Sequence, residues 1–263
     1  MSILQGSSNK AYHADRTSLS SSNLKMILEN PYKFYDEWVL GNKPEEVDKP
    51  YFVEGGFFHT LVLEPELISD YAIFPGLRKS GHVFEDFKKN NPNKQIISAA
   101  QTHKCEMMYK AYATRKEAMN LISGGLSEHT MMANILGVFI KTRADYINVD
   151  KGYIVDVKTT SYGTDIETFR EIIRQYKYQL SAALYCQAAF EVYDKLFDFY
   201  FVVISKSDLT CDIYKASSET LSEGSAMYTK ALILYKKCKE TGIWALEHHK
   251  PTFDSKDYEI LDV

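Results

Sequence analysis

Apolar residues along this chain recur at two different spacings, and the switch between them outlines the fold. Leu24, Ile27 and Leu28 recur at helical spacing, with Ser21 or Ser22 placed to cap the start and Pro31 to interrupt it. The run from Glu54 to Pro65 reads as a helix ending before the proline, with Gly55 and Gly56 near its start and His59 on it. Residues 75–97 are polar and rich in lysine, glycine and asparagine, which predicts a long excursion. Helical spacing returns over Ser98–Ile122, with Met107 and Met108 as core filler. From Ser127 the pattern changes. Val138–Ile140, Ala144–Ile147 and Tyr153–Val157 read as consecutive strands, with a turn at 148–152. Phe169–Tyr193 is helical with a break near Gln175, Phe197–Ser205 reads as a central strand, and Cys211–Lys215 is placed to pair with it. Thr220–Thr241 closes the pattern as an amphipathic helix. The order is helix, three strands, helix, then one or two strands, an α/β fold. Residues 1–17 read as a loose lead-in, and residues 18–263 as one domain with its core at about 98–207.

Composition narrows the class. The chain has 263 residues, 45% hydrophobic and 25% charged, enough for one large core. No run of apolar residues is long enough to span a membrane, and the N-terminus has no secretory pattern, so a cytoplasmic location is expected. The four cysteines make no CxxC pair, which argues against a zinc ribbon and for free thiols. The net charge of −4 argues against a broad phosphate-binding surface. It leaves room for a small basic channel around an acidic metal site. The aromatic group Tyr32, Phe34, Tyr35 and Trp38 reads as packing within a helical part, with stacking on bases as the alternative.

The chemistry concentrates in two apolar runs that each carry one acid, Asp145 and Asp156, with Lys158 two residues after the second. Residues two apart on a strand share a face, so Asp156 and Lys158 project together. If Asp145 comes from the neighbouring antiparallel strand, two carboxylates and an ammonium converge. Two carboxylates hold a hard divalent cation, and a lysine beside them orients a hydrolytic water. The plain structural alternative is a solvated cross-strand ion pair.

Motifs in order then carry a resemblance. Gly55-Gly-Phe-Phe-His59, Leu61-Val-Leu-Glu-Pro65, Ser127-Glu128, Lys141-Thr-Arg143-Ala-Asp145, Asp156-Val-Lys158-Thr-Thr160 and Tyr178-Gln179 through Tyr185 resemble the PD-(D/E)XK nucleases of the RecB/RecE branch, most closely the phage-type exodeoxyribonuclease VIII (RecE-like) domain. The resemblance spans roughly residues 18 to 207 and implies a restriction-endonuclease-like αβββαβ core, a mixed sheet flanked by helices. It implies Mg2+, with Mn2+ as substitute, held by Asp145, Asp156, His59 and the main-chain carbonyl of Val157. Glu128, on a helix near the site, would hold water or a second ion. Lys158 would position the nucleophile. Gln179 would orient the site or a phosphate, Arg143 would pair with Glu128 or touch the phosphate backbone, and Tyr185 would contact DNA or pack beneath. Arg78 and Lys79, in the basic excursion, are expected on the DNA path. The implied activity is 5′-to-3′ degradation of duplex DNA ends, with a single-strand annealing protein as partner and a homo-oligomeric ring as assembly. The cysteine positions do not fit the iron–sulfur pattern of some relatives. Lys206 lacks the glutamate that relatives place before it. An endonuclease and a non-catalytic DNA-binding module with the same fold are the competing readings.

Overall fold

The computed structural model describes residues 9–44, 50–76 and 79–245. Four helices lead in: α1 (Asn9–Ala14), α2 (Ser21–Glu29), α3 (Pro31–Phe34), which runs on as a π-turn over Tyr35–Val39, and α4 (Pro50–Leu63). A small unit follows, made of a 3-10 turn (Pro65–Asp70), β1 (Tyr71–Phe74), α5 (His82–Lys89) and β2 (Gln95–Ser98). Then come α6 (Ala99–Thr114), α7 (Lys116–Leu121), β3 (Leu126–Ile135), β4 (Val138–Asn148), β5 (Tyr153–Thr160), α8 (Ile166–Tyr176), α9 (Tyr178–Tyr193), β6 (Asp198–Ser205), β7 (Cys211–Lys215) and α10 (Ser218–Thr241).

The main sheet has the order β3-β4-β5-β6-β7, antiparallel throughout except for the parallel pair β5–β6. The α8–α9 crossover supplies the long connection that a parallel pair needs. Helices cover both faces. Along β6, Phe199, Phe201 and Val203 enter one core with α2, α8, α9 and α10, while Val202 and Ile204 enter the other with α4 and α6. This alternation is what a strand buried on both faces requires. Each fully buried phenylalanine of β6 contributes roughly 1.5–3 kcal/mol of burial. The mixed α/β architecture agrees with the expected αβββαβ core.

Local signals explain the boundaries. Ser20, rather than Ser21 or Ser22, caps α2, through a reciprocal pair with Asn23. Ser98 and Gln101 form the same box at the start of α6. Leu136 and Gly137, at φ 50° and 79°, make the tight β3–β4 hairpin. Lys177, left-handed at φ 51°, splits α8 from α9 close to the break expected at Gln175.

Three expectations need correction. Val138–Ile140 and Ala144–Ile147 are one strand, β4, and the third strand of the core is β3, which precedes them. The intervening Lys141 and Thr142 are polar but buried, which hid the continuity. The excursion at 75–97 contains α5, whose Phe84 and Phe87 pack edge-on against Phe74, and β2, which pairs with β1. Residues 9–17 are not a loose lead-in. The Lys141 ammonium, almost fully buried, donates to the carbonyls of Tyr12 and Asp15 at 2.6 Å each. It also lies 4.8 Å from the Tyr12 ring centroid. Residues 1–8 are outside the described residues.

Candidate active site

The site forms where two neighbouring strands part. The β4–β5 ladder lasts three residue pairs, from Asn148↔Tyr153 to Tyr146↔Val155. Beyond it β4 bonds to residue 19 instead, with Leu19 N–H donating to Phe139 and Lys141 N–H to Leu19 at 2.9 Å each. At the fork the Val157 N–H would lose its ladder partner. The Asp145 carboxylate accepts it at 2.7 Å, which fixes that side chain in the gap.

The same point is a kink in two strands. Ala144 and Tyr146 lie two apart on β4 yet belong to different cores, so the alternation changes phase at Asp145. Across the β3–β4 ladder, Glu128 stands between the pairs Ser127↔Tyr146 and His129↔Ala144. Its backbone is left-handed, at φ 48°. The sequence placed Glu128 on a helix. It lies on β3, and the strained conformation turns its carboxyl to the fork.

His59 reaches the fork from α4. Its Nδ1 is 3.8 Å from Asp145 Oδ2. One ligand atom each from His59, Glu128 and Asp145 lies within 4.8 Å of the others. Burial, then the charge of Asp145, pushes the Glu128 carboxyl up to about 7, while Arg143 opposes the shift. Arg143 Nε donates to Glu128 at 2.6 Å. Of the two expected roles of Arg143, the contact with Glu128 is the one present.

Asp156 stands beside this triplet rather than within it. Lys158 Nζ lies 2.6 Å from Asp156 Oδ2. Burial works against the charge of Lys158, but Asp156 and then Asp145 outweigh it and hold its pKa above the ordinary lysine range. Burial raises the pKa of Asp156, with Lys158 opposing and Asp145 adding to it. Lys158 Nζ is 3.5 Å from the Val157 carbonyl. Tyr185 lies beneath. Burial, then Tyr12, Asp156 and Asp145, raises the pKa of its hydroxyl well above normal.

One imidazole and two carboxylates, with the Asp156 carboxylate and a main-chain carbonyl nearby, form an oxygen-rich donor set. Such a set suits a hard divalent cation, and two acids forced together are relieved by one. The residues present therefore fit the metal that the resemblance implied.

The other expected residues have other places. Gln179 is buried on α9, and its Oε1 has no hydrogen-bond partner among the described residues. Lys79 Nζ donates to the Ile96 carbonyl at 2.6 Å, so it ties residue 79 to β2. Arg78 lies outside the described residues. Sequence reasoning gave no role to three residues that border the site. Glu64, at the end of α4, lines the cleft, and burial raises its pKa. It lay inside the quoted Leu-Val-Leu-Glu-Pro motif. Tyr178, next to Gln179, lines the cleft with Lys158 Nζ 5.3 Å from its ring centroid. Lys25 of α2 lies 5.3 Å from the same centroid. Its helical spacing gave no hint of that position.

The fork opens into a cleft of about 1740 Å³ lined by His59, Glu128, Arg143 and Lys158. No helix among the described residues is long and apolar enough to cross a membrane.

No curated protein matches the sequence. A crystal structure from Eubacterium rectale, described as a "putative exonuclease", has the same fold with a TM-score of 0.68 at 16% identity, covering 91% of this chain and 88% of that one. A family model described as a PDDEXK-like domain of unknown function matches residues 20–249, and the chain, with its restriction-endonuclease-like sheet and forked acidic site, belongs to that family.

Proposed function

We propose that this protein is a metal-dependent deoxyribonuclease that hydrolyses phosphodiester bonds. The observation that carries the reading is the convergence of His59, Glu128 and Asp145 within 4.8 Å, beside the Asp156–Lys158 pair. A divalent cation held there would supply Lewis acidity to the scissile phosphate and lower the pKa of water towards neutrality.

The chain's own residues do the rest. Asp145 is anchored by the Val157 N–H, so its free lone pairs face the cleft in a set direction. Arg143 holds Glu128 in its strained position. Asp156 orients the Lys158 ammonium, which donates hydrogen bonds to the charge that builds on the phosphate oxygens in the transition state. His59 completes the donor set from a separate helix, α4.

Within this reading the substrate is the end of duplex DNA, degraded 5′-to-3′ to leave single strands for recombination. Mg2+ is the working ion and Mn2+ a substitute. The RecE-like motif order and the E. rectale neighbour support exonuclease action. A single-strand annealing protein as partner, a ring of subunits around the DNA and a cytoplasmic location complete the proposal. A ring with basic inner faces would reconcile the net charge of −4 with DNA binding.

The test is incubation with Mg2+ on linear and on closed circular duplex DNA, one linear end being labelled. Loss of linear DNA alone, starting from the 5′ terminus, is expected. Cutting of circles would make the protein an endonuclease, and binding without cutting would make it a DNA-binding module.

A further inference from the structure

One wall of the cleft carries aromatic faces that the hydrolytic groups leave unused. Tyr162, Tyr176 and Tyr178 all line it, and Tyr162 and Tyr176 are 60% and 50% exposed. Residues two apart on a regular helix do not face each other. Here the left-handed Lys177 lies between them, and the rings of Tyr176 and Tyr178 stack with centroids 5.6 Å apart and planes 21° apart. Tyr178 is fixed on its inner side, because the ammonium groups of Lys25 and Lys158 each lie 5.3 Å from its centroid. Tyr176 therefore rests on an immobilised ring with half of its surface open.

Lys206 lines the same cleft. Its main-chain N–H donates to Thr160 at 2.8 Å, which sets it beside the Ser161–Tyr162 turn. Its ammonium makes no hydrogen bond or ion pair among the described residues. The strongest opposing charge acting on it is that of Glu54, and open aromatic rings that share a cleft with such a cation suit a single strand, whose bases stack on the rings while a phosphate meets the ammonium. A closed duplex gains nothing from such rings, since its base faces are already covered by neighbouring pairs.

We infer that Tyr176, with Tyr162 and Lys206, forms a stacking track for an unpaired DNA strand, so that the cleft takes its substrate strand frayed rather than paired. The inference rests on the nuclease reading of the same cleft and adds the state of the substrate.

Equilibrium binding in EDTA tests it without any cleavage. The probes are a short fluorescein-labelled oligothymidine and a blunt DNA hairpin of equal charge. The wild type is expected to bind the oligothymidine more tightly. Tyr176→Ala should weaken that binding about tenfold, the loss of one stacked base. Tyr176→Phe should stay near wild type, because stacking needs the ring and not the hydroxyl. The hairpin should bind all three alike. Far-UV circular dichroism confirms that the variants fold. Equal binding of the oligothymidine by Tyr176→Ala and wild type overturns the inference, as does an equal loss on the hairpin or no wild-type preference. Absence of Mg2+-dependent cleavage with this pattern intact sinks the nuclease reading and leaves the track standing. Cleavage without the pattern does the reverse.

Discussion

Replacing Gly224 by alanine should destabilise the protein, although the position lies within a helix. At an ordinary helical site the change raises stability by about 1 kcal/mol. Here an added methyl would sit 1.9 Å from the Gln179 carbonyl oxygen, 2.5 Å from its carbon and 2.9 Å from Ala183 Cβ. Carbon–oxygen contacts normally begin near about 3.3 Å, so α9 and α10 must separate by more than about 1 Å. Overpacking costs typically about 1–3 kcal/mol, and a backbone atom cannot rotate aside, which favours the upper end. Setting about 3 against about 1 leaves a net loss of about 2 kcal/mol. Urea denaturation of the two proteins measures it through the shift in midpoint. Gly55→Ala is the internal control. It is also helical but nothing among the described residues lies within 4 Å of its added methyl, so it should gain up to about 1 kcal/mol. A Gly224→Ala protein as stable as the wild type would refute the packing argument, because no other contact is invoked.

Other outcomes follow from the site. Asp145→Asn keeps an oxygen for the Val157 N–H but removes one of the crowded charges. Its thermal midpoint without metal should rise, while the stabilisation by Mg2+, about 2.7 kcal/mol at a hundred times Kd, should vanish; a melt that still responds to Mg2+ would remove Asp145 from the donor set. Lys158→Met should abolish cleavage and cost about 3 kcal/mol by leaving Asp156 buried and alone, and Asp156→Leu added to it should recover much of that loss in a chemical melt. The metal-induced shift should survive in Lys158→Met, since an ammonium is not a ligand.

The parts of this fold that the sequence announced are those where polarity and burial agree. Asp145 and Asp156 interrupt apolar strands, so their strands and their shared face were legible, and so was Lys158. His59 and Glu128 entered through motif order alone, because nothing in α4 or around residue 128 marks a convergence across that distance. The resemblance implies a helix for Glu128, yet it lies on a half-polar strand, Leu126–Ile135, whose His129 and Thr130 are nevertheless buried. The phase change at the fork leaves no periodic trace, since each half of β4 alternates correctly on its own. The pairing of Tyr176 with Tyr178 was invisible for a related reason. A single left-handed residue, Lys177, creates it, and lysine is not a residue that signals such a backbone.

The segment held by Lys141 bears on where a workable fragment can start. The family match begins at residue 20. A protein cut there would retain every strand and every helix from α2 onward. It would lose the Tyr12 and Asp15 carbonyls, leaving an ammonium sealed in the interior with its acceptors gone. Losing those acceptors costs on the order of 3 kcal/mol, a large share of a domain's whole stability. It would also strip His13 from the cleft wall. The unit that sequence similarity delimits is thus smaller than the unit that folds, and an inactive or insoluble truncation at residue 20 would report on the missing strap rather than on the chemistry.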